Sequence, residues 1–213
     1  FDRSNLYVTG NPIYDATFKK LHSLTNSKNT GKIRVLFAPL QLYENGLWSK
    51  NHQESSIKEI VSKLANNPDV LLTIKLHPSS IALSDYENMI RSIEPYVQIF
   101  QSGDIIDYLS NTDVLVSFPG SSTIFVYALA AEKPIILCNF YNQERHQFLE
   151  KDLAVECKKP ESLIDQIKSS ASNNQLFPEK IRTFLEESFY KTDGQASERL
   201  SNAIIDFLNK KKQ

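Results

Sequence analysis

Short apolar runs, rich in β-branched and aromatic residues, recur along the chain. They alternate with stretches in which apolar residues fall three and four apart. Arg34–Ala38, with Thr30-Gly-Lys before it and Pro39 after it, predicts the first strand. Val70–Leu76, stopped by His77-Pro78, predicts the second. Val97–Phe100, Val114–Phe118, Pro134–Asn139 and Leu153–Cys157 predict those that follow. Between them Ser56–Asn67 reads as a helix, with Ile57, Ile60, Val61 and Leu64 on one face. Ser84–Ile93, Asp104–Ser110 and Ser121–Ala131 supply further helices. From Pro160 onward the pattern is helical only, over Pro160–Ala171, Pro178–Tyr190 and Ala196–Lys212.

Strands alternating with helices at this spacing indicate βαβ units, and near-continuous apolar strands indicate a sheet covered on both faces. The expected fold is therefore α/β and Rossmann-like: three α/β/α layers, a mostly parallel sheet of about six strands, and extra C-terminal helices. Residues 32–213 make up this domain. Residues 1–31, polar and with few periodic apolar positions, read as a connecting segment.

Composition narrows the function. With 24 Lys+Arg against 25 Asp+Glu, the 213 residues carry a net charge of −1. That leaves no electrostatic footprint for nucleic acid or an anionic membrane surface. No run approaches the ~18 apolar residues of a spanning helix. Cys138 and Cys157 sit inside apolar runs and fit a reducing compartment. Neither has the spacing of a zinc site, and no carboxylate cluster suits Mg²⁺, so neither metal nor cofactor is expected. GxGxxG, Walker and GxSxG sequences are all missing. The chain starts at Phe1 and its only methionine is Met89, which reads as part of a longer or processed polypeptide.

In a doubly wound sheet, ligands bind beyond the carboxyl ends of the strands. The segment after the fourth strand, Phe118-Pro-Gly-Ser-Ser-Thr123, runs directly into a helix. Gly120 permits close backbone approach, Ser121, Ser122 and Thr123 bring hydroxyls, and a helix N-terminus offers free N–H groups. Those are the requirements of a phosphate site, although a Gly turn with a Ser cap explains the same residues. After the second strand, Lys75 and His77 alternate onto one face, with Ser79 and Ser80 beyond. The set suits an anionic group, while burial of Lys75 would call for a carboxylate partner. Gln41–Glu54, with Tyr43, Glu44, Asn45, Trp48, Lys50 and His52, is a loop of ~14 residues, longer than most such connections. After the fifth strand, Arg145 and His146 are further candidates for phosphate, or for ordinary surface pairing.

The order of motifs resembles the C-terminal half of a GT-B fold protein. Val8-Thr-Gly-Asn-Pro-Ile-Tyr-Asp15 is similar to the V-TGNP-D segment of UDP-N-acetylglucosamine 2-epimerases. Ile74-Lys-Leu-His-Pro78 resembles the K-HP of those enzymes and of CDP-glycerol glycerophosphotransferases. Asp113–Ile136 resembles the glycerophosphotransferase pattern of paired serines before FDYAL and KPII. Asp193-Gly-Gln-Ala-Ser-Glu-Arg199 is similar to the DG-ASERI of both groups.

The resemblance implies the donor-binding half of a transferase of cell-surface polymer or glycan synthesis. It implies a nucleotide-activated sugar or glycerol as donor and a partner N-terminal domain that supplies the acceptor side and catalytic base. Ser121 and Ser122 would hold the diphosphate, with Gly120, Thr123, Lys75 and Arg145 around it, and His77 would face the phosphate or leaving group. Transfer would need no metal, since the helix N-terminus and side chains can stabilise the departing diphosphate. The implied location is cytoplasmic, with peripheral membrane association of the whole protein allowed. Val126 stands where glycerophosphotransferases usually carry an acid, so the ribose-binding carboxylate is missing from its place. The alternatives are the corresponding half of a UDP-N-acetylglucosamine 2-epimerase and a non-catalytic module of the same fold.

Overall fold

The computed structural model describes residues 6–24, 31–79, 83–141, 146–173 and 178–210. Strands β1 (Ile33–Phe37), β2 (Val70–Lys75), β3 (Gln98–Phe100), β4 (Val114–Ser117), β5 (Ile135–Cys138) and β6 (Val155–Cys157) form one 6-stranded sheet. Its order is β3-β2-β1-β4-β5-β6, and every pairing is parallel. The helices are α1 (Asp15–His22), α2 (Lys50–Ala65), α3 (Leu83–Arg91), α4 (Ile105–Ser110), α5 (Thr123–Ala130), α6 (Gln147–Glu150), α7 (Leu163–Asn173), α8 (Pro178–Phe189) and α9 (Ala196–Lys210). The molecule is the Rossmann-like α/β/α sandwich with C-terminal helices that the alternation predicts. Among the described residues, no helix is long and apolar enough to cross a membrane.

Successive strand residues face opposite sides of the sheet, so each strand feeds two cores. Val35, Phe37, Ile74 and Val116 pack against Ile57, Ile60, Val61 and Leu64 of α2, Ile90 of α3, and Leu163 and Ile167 of α7. Leu36, Ala38, Leu115 and Leu137 face the other way, onto Phe125, Ala128 and Leu129 of α5 and Phe184 and Leu185 of α8. Burial on both faces is why the central strands show no polar alternation.

The clearest departures from the sequence reading are three helices: the short α6, which it lacks, and α2 and α1. Helix α2 begins at Lys50 rather than Ser56, because Ser49 caps it and accepts a hydrogen bond from His52 N at 3.2 Å. The first turn is polar and shows no periodicity. Within the polar N-terminal segment, α1 buries only Phe18 and Leu21, too few to produce a periodic signal. Both belong to a small core with Ile106, and Phe18 meets Phe189 edge-on at 5.3 Å.

The two ends of the chain are joined. Asp15 accepts hydrogen bonds from Ala196 N (2.9 Å) and Ser197 N (2.8 Å), capping α9 from across the sequence. Arg199 donates to the Thr9 carbonyl (2.9 Å) and pairs with Asp193. Gly194 sits at φ +69°, and a Cβ there would lie 2.8 Å from the Asp15 carbonyl oxygen, so only glycine fits this turn. The motif at 8–15 and the motif at 193–199 therefore pack on each other.

At the amino ends of β1 and β4, Arg34 makes a two-pronged pair with Asp113, which also accepts from Arg34 N at 2.8 Å. Burial pushes the Asp113 carboxyl up, but Arg34, with help from Lys133, outweighs it and holds it below its ordinary value. A carboxyl lowered by folding adds stability above its unfolded pKa of ~3.9, and that stability is lost as pH falls through the folded value.

Two outcomes are expected. Phe18→Ala lowers unfolding free energy by about 3 kcal/mol in denaturant titration, although it lies in the polar N-terminal segment. Asp113→Asn flattens the loss of melting temperature that the unaltered protein shows as pH falls below about 4. An equally steep loss in the variant would remove the assigned role of Asp113.

Candidate functional site

Sheet order reverses between β1 and β4: the chain leaves β1 toward β2 and β3, then crosses back to β4 and proceeds outward to β6. A crevice opens at the carboxyl ends of the two strands, the usual ligand position in this architecture. Two adjoining hollows occupy it. One, of about 290 Å³, is lined by Ala38–Leu40, Lys75–Pro78, Gly103, Ile105 and Ser122–Ile124. The other, of about 380 Å³, lies between the β1–α2 loop and Pro119–Ser122, with His77 and His146. Leu40, His77 and Ser122 line both. A larger hollow of about 780 Å³ lies at the amino edge of the strands, beside Lys32, Arg34, Asp113 and Lys133. Its Arg34 and Asp113 neutralise one another, whereas the carboxyl edge presents a helix N-terminus.

Ser122 caps α5, its Oγ accepting from Ile124 N at 3.4 Å. Thr123 opens the helix, whose first N–H groups form the positive end of the helix dipole. Ser121 Oγ lies 3.1 Å from His146 Nε2. A Cβ at Gly120 would come within 2.6 Å of Leu40 Cδ1, so glycine lets this turn close on the β1 segment. The phosphate reading and the capping reading describe one object: Ser122 supplies the cap, and Gly120 and Ser121 supply the approach.

His77 stands at the end of β2. Its Nδ1 accepts from Ser79 N at 3.2 Å and lies 2.8 Å from Ser79 Oγ, whose single proton is shared between Nδ1 and Gln41 Oε1, 3.1 Å away. A backbone N–H only donates, so the neutral ring carries its proton on Nε2. His77 thus has a hydrogen-bond donor to offer an anion.

Lys75 is buried, but the carboxylate partner expected for it is replaced by carbonyls. Its ammonium donates to Leu76 O (3.0 Å) and Gln101 O (2.8 Å) and lies 5.8 Å from the Tyr108 ring centroid. Burial lowers its pKa. Lys75 therefore ties β2 to the segment after β3 while lining the smaller hollow. Arg145 lies outside the described residues. Val126 is half-buried on α5 and packs at the edge of the second core. Among the described residues, no group of three or more His, Cys, Asp or Glu is placed to hold a metal ion.

The β1–α2 loop and His146 carry more of the site than their sequence signals suggest. Trp48 stacks on His52 with ring centroids 3.9 Å apart, and His52 meets Tyr141 at 4.0 Å. His52 Nε2 and His146 Nδ1 are buried without a partner among the described residues. Burial lowers both pKa values, against an opposing pull from Glu150 on His146. Only the His146 position next to Arg145 pointed to it in the sequence. The contact with Ser121 depends on how β5 sits beside β4.

The chain matches the family described as CDP-Glycerol:Poly(glycerophosphate) glycerophosphotransferase over residues 1–206. No curated protein matches it. Among solved structures it is similar to S. aureus MnaA with UDP, at 18% identity and a TM-score of 0.59, covering 95% of this chain and 55% of that one. It is similar to a UDP-N-acetylglucosamine 2-epimerase, at 14% identity and TM-score 0.57, covering 100% and 54%. A variant of the wall teichoic acid polymerase TagF aligns at 15% identity and TM-score 0.55, covering 100% and 55%. The chain spans about half the length of these structures, and at such identities the likeness is one of fold.

Nitrogen NMR of the His77 ring in alkaline buffer is expected to show the proton on Nε2. A proton on Nδ1 would contradict the assigned Ser79 contact.

Proposed function

Because the chain belongs to the CDP-glycerol:poly(glycerophosphate) glycerophosphotransferase family, we propose that it forms the donor-binding half of a transferase. The enzyme moves glycerol phosphate from a cytidine-diphosphate-linked donor onto an acceptor hydroxyl in cell-surface polymer synthesis. The observation that carries this reading is the N-terminus of α5, with Ser121 and Ser122, lining the same hollow as His77 at the point of strand reversal. Two structures of similar fold carry a ligand of this class in their own names: MnaA with UDP, and TagF after a soak with CDPG.

The chemistry follows from the charge that must be held. The acceptor oxygen attacks the phosphorus that bears glycerol, the bridging P–O bond breaks, and the nucleoside monophosphate leaves with the bridging oxygen. Negative charge grows on that oxygen as the bond lengthens. The first N–H groups of α5, the Ser121 hydroxyl and His77 Nε2–H are donors of the kind that stabilise it, and they are held by the fold before substrate arrives. Such transfer is largely a matter of positioning and electrostatics. Thr123, Gly120 and Lys75 shape the cradle. Acceptor and catalytic base belong to the remaining half of the enzyme, so these residues alone bind donor without turnover. The reading places the protein in the cytoplasm. The family match favours it over an epimerase half or a non-catalytic module.

Calorimetric titration with CDP, UDP and GDP tests it. CDP is expected to bind, and Ser121→Ala and His77→Ala are each expected to weaken it by about tenfold, as loss of a charge-assisted hydrogen bond does. Binding of none of the three would overturn the donor-site reading. Transfer to a glycerol phosphate polymer by this chain alone would overturn the assignment of the base to the other half.

A further inference from the structure

The loop between β1 and α2 supplies one wall of the 380 Å³ hollow through Gln41, Leu42, Asn45, Leu47 and Trp48. It is folded on itself: the Leu42 carbonyl accepts from Leu47 N (2.8 Å) and Trp48 N (3.0 Å), and the Tyr43 carbonyl from Gly46 N (2.9 Å). These turns set the shape of the loop. They do not set its distance from the opposite wall at Ser121 and Ser122.

Behind the wall lies a closed polar network. Gln53 of α2 donates from Nε2 to Glu44 Oε2 (3.0 Å) and to the Tyr86 hydroxyl (2.5 Å). Tyr86 of α3 donates to Glu44 Oε1 at 3.1 Å. Gln53 Oε1 accepts from Tyr43 N at 2.8 Å. Gln53 and Tyr86 are 2% and 4% exposed, and neither they nor Glu44 lines either carboxyl-edge hollow. Burial and the charge of Glu44 push the Tyr86 phenol up, which keeps it protonated and able to donate.

A network with two buried members on a half-buried carboxylate is costly unless each is satisfied, and an apolar contact would join α2 to α3 at less cost. What this network supplies beyond cohesion is one position for the loop, because both carboxylate oxygens and the Tyr43 N–H belong to it. We propose that Glu44, Gln53 and Tyr86 are positioning residues, which hold the 41–48 loop so that Asn45 and Trp48 form a fixed wall opposite Ser121, Ser122 and His77. The proposal rests on reading this hollow as part of the donor site. The three residues touch no ligand; they act through the loop.

Trp48 is the only tryptophan in the chain. Its ring is stacked on His52 and lies 5.0 Å from that of Phe118, so its fluorescence reports where the loop sits. Tyr86→Phe removes one hydroxyl, and with it two of the network's bonds, at nearly constant volume. The variant is expected to keep its circular dichroism and a cooperative melt. Quenching of Trp48 by acrylamide should rise about twofold as the loop gains freedom, and CDP affinity should fall about fivefold. Glu44→Gln, a change on the loop itself, serves as the second variant if Tyr86→Phe fails to fold, with the same two readouts expected.

Unchanged quenching in a folded variant would overturn the proposal, whether or not the unaltered protein binds CDP. Altered quenching with unchanged CDP affinity would also overturn it, by showing that the wall's position does not matter to the ligand. Failure of the unaltered protein to bind CDP would instead remove the donor-site reading, leaving the fluorescence to decide the role of the network.

Discussion

Everything at the carboxyl edge depends on the pairing of β1 with β4. Their register, Val35 with Val114 through Phe37 with Val116, is extended by Ala38 N donating to Val116 O at 2.9 Å. Ser117 then donates its hydroxyl to the Ala38 carbonyl at 2.5 Å, both groups being buried. These bonds bring the segments after the two strands side by side at the one place where successive connections diverge. The fold leaves a gap there that no crossover helix fills. Gly120 fits against Leu40 for the same reason, and the N-terminus of α5 opens onto the gap.

The two edges of the sheet are chemically unlike. At the amino edge, Arg34 and Asp113 form a pair that spends its charge on itself, with Lys133 buried nearby. At the carboxyl edge the donors are backbone N–H groups, hydroxyls and a histidine whose tautomer is set by Ser79. Size alone would favour the amino-edge hollow, at about 780 Å³. The carboxyl edge instead offers a phosphate the free N–H groups of a helix start, with hydroxyls beside them.

Much of the fold was legible in the sequence because its central strands are buried on both faces and flanked by helices with apolar stripes. The elements without a sequence signal are short or bury little: α6 is four residues long. Helix α1 hides two side chains, and the first turn of α2 is polar. The candidate site was legible where its residues lie at strand ends, as at His77 and Gly120–Thr123, which the fold brings to common hollows. It was less so where two distant segments must meet, as at Ser121 with His146 or Glu44 with Gln53 and Tyr86. The partner of Lys75 was also hidden, since main-chain carbonyls leave no mark in a sequence. The motifs at 8–15 and 193–199, far apart in sequence, join the two ends of the chain.

The central claim is that a nucleoside diphosphate is held at the reversal point between β1 and β4. A crystal structure of the protein soaked with CDP tests it most directly. The account predicts density for two phosphates at the N-terminus of α5, in contact with Ser121, Ser122 and His77, with Asn45 and Trp48 facing them. Density for the diphosphate at the amino edge, beside Arg34 and Lys133, would contradict it.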